Sequence, residues 1–179
     1  MKKLFLLRHA KSSWDDTVPR DFDRPLNAKG KLAAETIGSF AKQEALMFEQ
    51  VLASPAARVI ETLEHFEKAC GQELEPIWDR KIYLASSVTL MDVLRNGANT
   101  GAVLMVGHNP GLEDLIFDLV PDDGSSDLRH IVEVKYPTAS LAALELDIAD
   151  WGDIKDGCGK LVGFTRPRDL DEKLGPHYP

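Results

Sequence analysis

Cysteine is nearly absent from this 179-residue chain: Cys70 and Cys158 stand far apart and form no CxxC pattern. That scarcity argues against a disulfide framework or a zinc site and makes a reducing cytosol the expected compartment. Long apolar runs are missing too, and no stretch approaches the roughly 20 residues of a membrane span. Met1-Lys2-Lys3 before Leu4–Leu7 imitates the opening of a signal peptide. The apolar run stops at Arg8, short of the roughly seven to fifteen residues a signal needs, so a soluble, unexported protein is expected. Positive charge is outnumbered, with 21 Lys and Arg against 29 Asp and Glu and a net charge of -8. A surface that acidic repels nucleic acid and anionic membrane. The chain has no GxxxxGK[ST] or GxGxxG loop for nucleotide phosphates, and no internal repeat or low-complexity tract. Its acidic run of Asp118, Asp122, Asp123 and Asp127 lacks the spacing and closing Glu of a calcium loop, and reads as a solvated face.

What is present is ordinary globular composition, 44% hydrophobic and 28% charged, at a length that suits one domain. Leu4–Leu7 reads as a strand buried on both faces. A polar loop runs to about Leu26, and Asn27 caps a helix predicted to reach about Leu46. Gln50–Ala53 reads as a second strand. Ser54-Pro55 signals the cap and first turn of a helix that stops at Gly71. Residues 74–78 give a weak third strand, Ser86 or Ser87 caps a helix to Arg95, Ala102–Val106 is a clear buried strand, and Gly111–Leu119 is helical. Ile131–Lys135, Ser140–Leu146 and Lys160–Phe164 read as three late strands. The sum is an α/β three-layer sandwich, a mostly parallel central sheet flanked by helices with late antiparallel additions. The domain is expected over residues 1–165, with an irregular C-terminal tail over 166–179.

In open α/β sheets ligands bind at the carboxyl edge of the strands. Three strand ends deliver Arg8-His9, Ser54-Pro55-Ala56-Ala57-Arg58 and Gly107-His108-Asn109-Pro110 toward that edge. Singly, a His or an Arg there suits a structural or ion-pairing role; their shared position points to one site. Two guanidiniums and two imidazoles suit a phosphoryl group, because the planar guanidinium fork matches phosphate oxygens. Phosphoryl transfer needs mainly in-line positioning and charge neutralisation. An imidazole serves as nucleophile when a hydrogen bond at one nitrogen leaves the other unprotonated. A second imidazole, if protonated, stabilises the transition state, and no metal or cofactor is required.

These segments resemble the histidine phosphatase superfamily, which includes the phosphoglycerate mutases. Leu6-Leu7-Arg8-His9-Ala10 is similar to its Arg-His-Gly signature, Ser54-Pro55-Ala56-Ala57-Arg58 with Thr62 to its second motif, and Val106-Gly107-His108-Asn109-Pro110 to its later Gly-His. Arg8-His9-Ala10-Lys11-Ser12-Ser13-Trp14, Asp23-Arg24-Pro25-Leu26 and Tyr136-Pro137-Thr138-Ala139 resemble the small SixA-like phosphohistidine phosphatases more closely. The likeness runs from residue 4 to about 147 and implies a phosphoglycerate mutase-like fold. By that resemblance His9 is the transiently phosphorylated nucleophile, and Arg8, Arg58 and His108 bind the phosphoryl oxygens. Arg24 resembles an additional phosphate-binding Arg, with an ion pair to Asp21 or Asp23 as the alternative reading of its loop.

The pattern departs from the mutases in one respect. They place a Glu after the second motif as general acid, and Asp79–Ser86 contains none. Asp15, Asp16 and Asp79 are the candidate substitutes, though each reads first as a surface Asp. An imidazole leaving group protonates near neutral pH and needs less help than an alkoxide, so the missing Glu favours phosphohistidine over a sugar phosphate. The expected function is hydrolysis of phosphohistidine on a signalling or phosphotransfer protein, by a chain taken as monomeric. The rivals are a phosphatase of small phosphate esters and a non-catalytic phosphoryl-binding protein. Elsewhere, His65 and Phe66 read as helix residues, His130 as structural or at the pocket rim, and His177 as a tail residue. Lys11 and Trp14 either contact a protein substrate or pack within their loop. Arg8, Arg24 and Arg58 would make a basic spot on an acidic body.

Overall fold

A single strand explains the layering. In the computed structural model, which describes residues 1–14, 17–18 and 20–176, β1 (Lys2–Arg8) runs through the middle of the sheet. Strand side chains alternate between faces. Leu4 and Leu6 pack with Leu90, Leu94, Leu112 and Leu115 on one side, and Phe5 and Leu7 with Ile37, Val59, Leu63 and Phe66 on the other. A strand apolar at every central position is thus buried on both faces, and each face needs its own helical layer.

α1 (Ala28–Gln43) and α2 (Ala57–Cys70) form one layer; α3 (Ser87–Gly97), α4 (Gly111–Leu119) and α5 (Asp127–Val134) form the other. Asn27 caps α1 by accepting from the Gly30 amide at 2.8 Å, and Gly71 ends α2 at φ 72°, a conformation costly for other residues. The remaining strands are β2 (Gln50–Ala53), β3 (Ile77–Trp78), β4 (Ala102–Gly107), β5 (Leu141–Leu146) and β6 (Gly159–Thr165). They follow the order β3-β2-β4-β1-β5-β6, the first four parallel and β5 antiparallel to both its neighbours, β1 and β6. The three-layer, mostly parallel α/β architecture is the expected one.

Three expectations need correction. Residues 131–135 are not a strand: α5 covers Asp127–Val134, capped by Ser126, whose hydroxyl accepts from the Arg129 amide at 3.1 Å. Only Val132 of its β-branched residues is fully buried, whereas Val134 is 76% exposed, so the run follows a helical face and not a strand's alternation. Ser54 does not cap α2, because that helix starts at Ala57 after an Ala56 cap without a side-chain bond. The tail is not irregular: Pro167–Leu170 forms α6, Glu172–Leu174 a 3-10 turn, and Leu174 packs against the α1–α2 core. Among the described residues no helix is long and apolar enough to cross a membrane.

Candidate active site

Register brings the motifs together. Arg8 of β1 is level with Gly107 of β4, and Ala53 of β2 with Val106, so all three strands end at one height. From β1 the chain leaves toward β2 on one side, and from β4 it leaves toward β5 on the other. Such a divergence opens a crevice at the carboxyl edge. His9 and His108, the next residues on adjacent strands, stand with ring centroids 5.2 Å apart. Antiparallel β5 begins beside the end of β1, so the Tyr136–Ala139 turn closes the side, with the Ala139 amide donating to the carbonyls of Arg8 and His9. The result is a pocket of about 550 Å³ with Arg8, His9, Arg24, Arg58 and His108 in its wall.

The histidines are held in defined tautomers. His9 Nδ1 is 2.7 Å from the Ala10 carbonyl, which only accepts, so Nδ1 carries the proton and Nε2 keeps its lone pair. Burial pushes the His9 pKa down to about 3, and His108, Arg58 and Arg8 push the same way. His108 Nδ1 lies 3.3 Å from an Arg58 N–H; guanidinium only donates, so Nδ1 is the acceptor. Its Nε2–H then donates to Ser54 Oγ at 2.8 Å. Burial, and next Arg58, lower His108 to about 3 as well. Both rings are therefore neutral at physiological pH, and the cationic form considered for His108 is not that of this state.

The guanidiniums are anchored yet incompletely satisfied. Arg8 donates to the Tyr136 carbonyl at 2.8 Å, and Arg58, only 2% exposed, donates to the Asp21 carbonyl and carboxylate at 2.9 and 3.0 Å. Arg24 pairs with Asp21 at 3.1 Å and lies 3.8 Å above the Trp14 ring. Both readings of Arg24, pocket residue and ion pair, are realised together. Arg8 Nε, Arg24 Nε and NH1, and Arg58 Nε are buried without a hydrogen-bond partner. Buried charged donors left unpaired are expensive, and an anion in the pocket satisfies them. The arrangement can bind a phosphoryl group on three guanidiniums and present His9 Nε2 to its phosphorus.

Three residues have roles at the site beyond those read from sequence, where Asp21 reads as an ion-pair partner for Arg24 and Ser54 as a helix cap. Asp21 is the one carboxylate of the pocket wall among the described residues, and its Oδ2 also accepts from Tyr83 Oη at 2.6 Å. Burial works to raise the Asp21 pKa, but the Tyr83 and Arg58 hydrogen bonds outweigh it and hold the carboxyl below its ordinary range. Ser54 fixes the His108 tautomer. Thr62, quoted only as part of a motif, accepts from the Ala10 amide at 2.9 Å and donates to the Arg58 carbonyl at 2.6 Å, tying the His9 loop to α2. Asp21 had a readable signal, an acidic residue three positions before Arg24; the other two act through contacts that only the fold creates.

Other candidates fall away from the pocket. His130 has a side chain 79% exposed, lies near Glu133 and is not at the rim. His65 pairs with Glu35 on the helical layer at 3.0 Å. Asp79 caps a 3-10 turn through the Lys81 amide and does not reach the site. Asp15, Asp16 and His177 lie outside the described residues. Lys11 and Trp14 line the mouth, joined there by tail residues Pro167, Arg168 and Leu174.

Comparison with known proteins identifies the family and the fold. The model of the histidine phosphatase superfamily (branch 1) matches residues 4–80. An uncharacterized protein of Mycobacterium tuberculosis is 32% identical over 164 residues, covering 90% of this chain and 100% of that protein. A structure from Agrobacterium tumefaciens, described as a candidate phosphohistidine phosphatase SixA, superposes with a TM-score of 0.77 at 29% identity, over 93% of this chain and 98% of that one. A candidate SixA from Nakamurella multipartitia gives 0.77 at 26% identity, over 93% and 96%. With its three motifs converging at the carboxyl edge of a shared fold, the chain belongs to the histidine phosphatase superfamily and is SixA-like within it.

Proposed function

We propose that this protein is a phosphatase that hydrolyses phosphohistidine on a partner protein, through a covalent intermediate at His9 and without a metal. The observation that carries the substrate is the state of Asp21. Asp21, the wall's one carboxylate among the described residues, is ionised and already accepts from Arg58 and Tyr83, so it has no proton to give an alkoxide at neutral pH. An imidazole leaves without strong acid assistance because it takes up a proton near neutrality. That chemistry suits this wall better than hydrolysis of an alkyl phosphate.

In the proposed sequence, Arg8, Arg24 and Arg58 bind the phosphoryl oxygens. His9 Nε2 attacks phosphorus, the new N–P bond forms as the bond to the substrate imidazole breaks, and that imidazole takes a proton from solvent. Nδ1–H of His9, bonded to the Ala10 carbonyl, keeps the ring oriented and shares the charge that develops. The phosphoryl dianion favours a proton on His108 Nδ1, which then donates to a phosphoryl oxygen instead of accepting from Arg58. Water next attacks phosphorus, the bond to His9 breaks, and inorganic phosphate leaves. The test is turnover of a phosphohistidine peptide beside a panel of sugar phosphates. The proposal expects kcat/KM for the peptide to exceed that for every ester by at least about tenfold; a preferred ester would replace the substrate while keeping the site.

A further inference from the structure

The phosphoryl group leaves part of the pocket's charge unaccounted for. Three guanidiniums on the floor are balanced by Asp21 and a phosphoryl dianion. Around the mouth stand four more cations, Lys11, Lys29, Lys135 and Arg168, with no carboxylate besides Asp21 among the described residues of the wall to meet them. None of the four forms a salt bridge among the described residues; Asp169, beside Arg168, is engaged by Arg166 at 2.8 Å. This clustering stands out on a chain whose net charge is -8.

The four are placed by separate elements that the fold brings to one rim. Lys11 lies against the first turn of α1, where its carbonyl accepts from the Asn27 amide. Lys29 reaches from that turn to the Gly175 carbonyl at 3.0 Å, which docks the tail and sets Arg168 on the same wall. Lys135 joins the same wall from the end of α5. Between them are two exposed apolar side chains, Trp14 at 81% and Leu84 at 56% exposure. Trp14 carries the Arg24 guanidinium on its face, and Leu84 sits at φ 49° on the turn before α3. An exposed Trp sharing a pocket mouth with four cations has the make-up of a protein-binding anchor with a charged rim.

We propose that this mouth is a docking surface for an acidic protein face, so that the partner presents its phosphohistidine from among Asp and Glu residues. The inference rests on the phosphohistidine reading and adds the partner's chemistry to it. Rim charges act mainly on encounter rate and salt dependence. The remainder of the molecule is acidic in sum, which disfavours acidic partners elsewhere and directs encounter to the mouth.

Three synthetic phosphohistidine peptides test this, alike except for flanks of Asp/Glu, of Ser/Gly or of Lys, with phosphoramidate as a substrate that has no flanks. At low ionic strength kcat/KM for the acidic peptide is expected to exceed that for the neutral one by about tenfold, with the Lys peptide slowest and the spread collapsing in 0.5 M salt. Lys11→Glu/Lys135→Glu should abolish or invert the order while keeping the wild-type kcat on saturating phosphoramidate. Equal turnover of the three peptides by the wild type overturns the docking surface and leaves the chemistry intact. An equal fall in phosphoramidate turnover in the double variant also overturns it, since the lysines would then belong to phosphoryl binding. Turnover of an ester with none of any peptide overturns the phosphohistidine reading, and the docking surface with it.

Discussion

His9 and His108 are neutral for the same leading cause, burial, but their tautomers are opposite. A carbonyl fixes the proton on His9 Nδ1, whereas a guanidinium removes it from His108 Nδ1. The first leaves a nucleophilic nitrogen for phosphorus; the second keeps a nitrogen that takes a proton only when an anion arrives. Histidine NMR titration, assigned with His9→Asn and His108→Asn, should find both rings unprotonated down to about pH 4.5, well below the ordinary 6.5. A midpoint near 6.5 for either would contradict this electrostatic account. Asp21→Asn offers a complementary check at the floor. It removes the pocket's carboxylate while the Asp21 carbonyl continues to hold Arg58. One unit charge at contact distance in water is worth about 1 kcal/mol, so inorganic phosphate should inhibit the variant roughly fivefold more tightly. Turnover should fall as Arg24 and Tyr83 lose their partner.

At the scale of elements, the loop after β1 is seated by close approach to α1. A Cβ on Gly30 would stand 2.1 Å from the Lys11 carbonyl oxygen, a backbone atom that cannot swing aside. Gly30→Ala should therefore cost at least about 1–3 kcal/mol in chemical denaturation and lower kcat, since Lys11 is two residues from His9. Most elements were readable because their signals were local: Asn27 before a periodic run, Gly71 after one, four apolar residues between polar ones. α5 was misread because Ile131-Val132-Glu133-Val134 is rich in strand-favouring residues, and the Ser126 cap lies outside that run. The tail was misread for another reason. Its Pro167 and Pro176 suggest irregularity, yet Pro is well placed at the first turn of a helix, and docking through Lys29 is a long-range event.

For the whole molecule, the site was legible where strand ends carried it: Arg8, His9, Arg58 and His108 needed only the parallel register to meet. Asp21, Ser54 and Thr62 were not, since their roles depend on which side chain lies opposite after folding. The cluster also makes stability depend on pH. Between pH 6.5 and about 3 the unfolded chain protonates two histidines that the folded chain keeps neutral, so stability falls as pH drops through that window. Asp21, held below its ordinary value, loses its own contribution in the same direction at still lower pH. Denaturant midpoints should decline from pH 7 to 4.5, and His9→Asn should flatten the slope. The most direct measurement of the central claim is a denaturing quench during turnover of a labelled phosphohistidine peptide. The account predicts an acid-labile, base-stable label on the fragment that carries His9, absent from His9→Ala. An unchanged label in His9→Ala, or an acid-stable one, would contradict it.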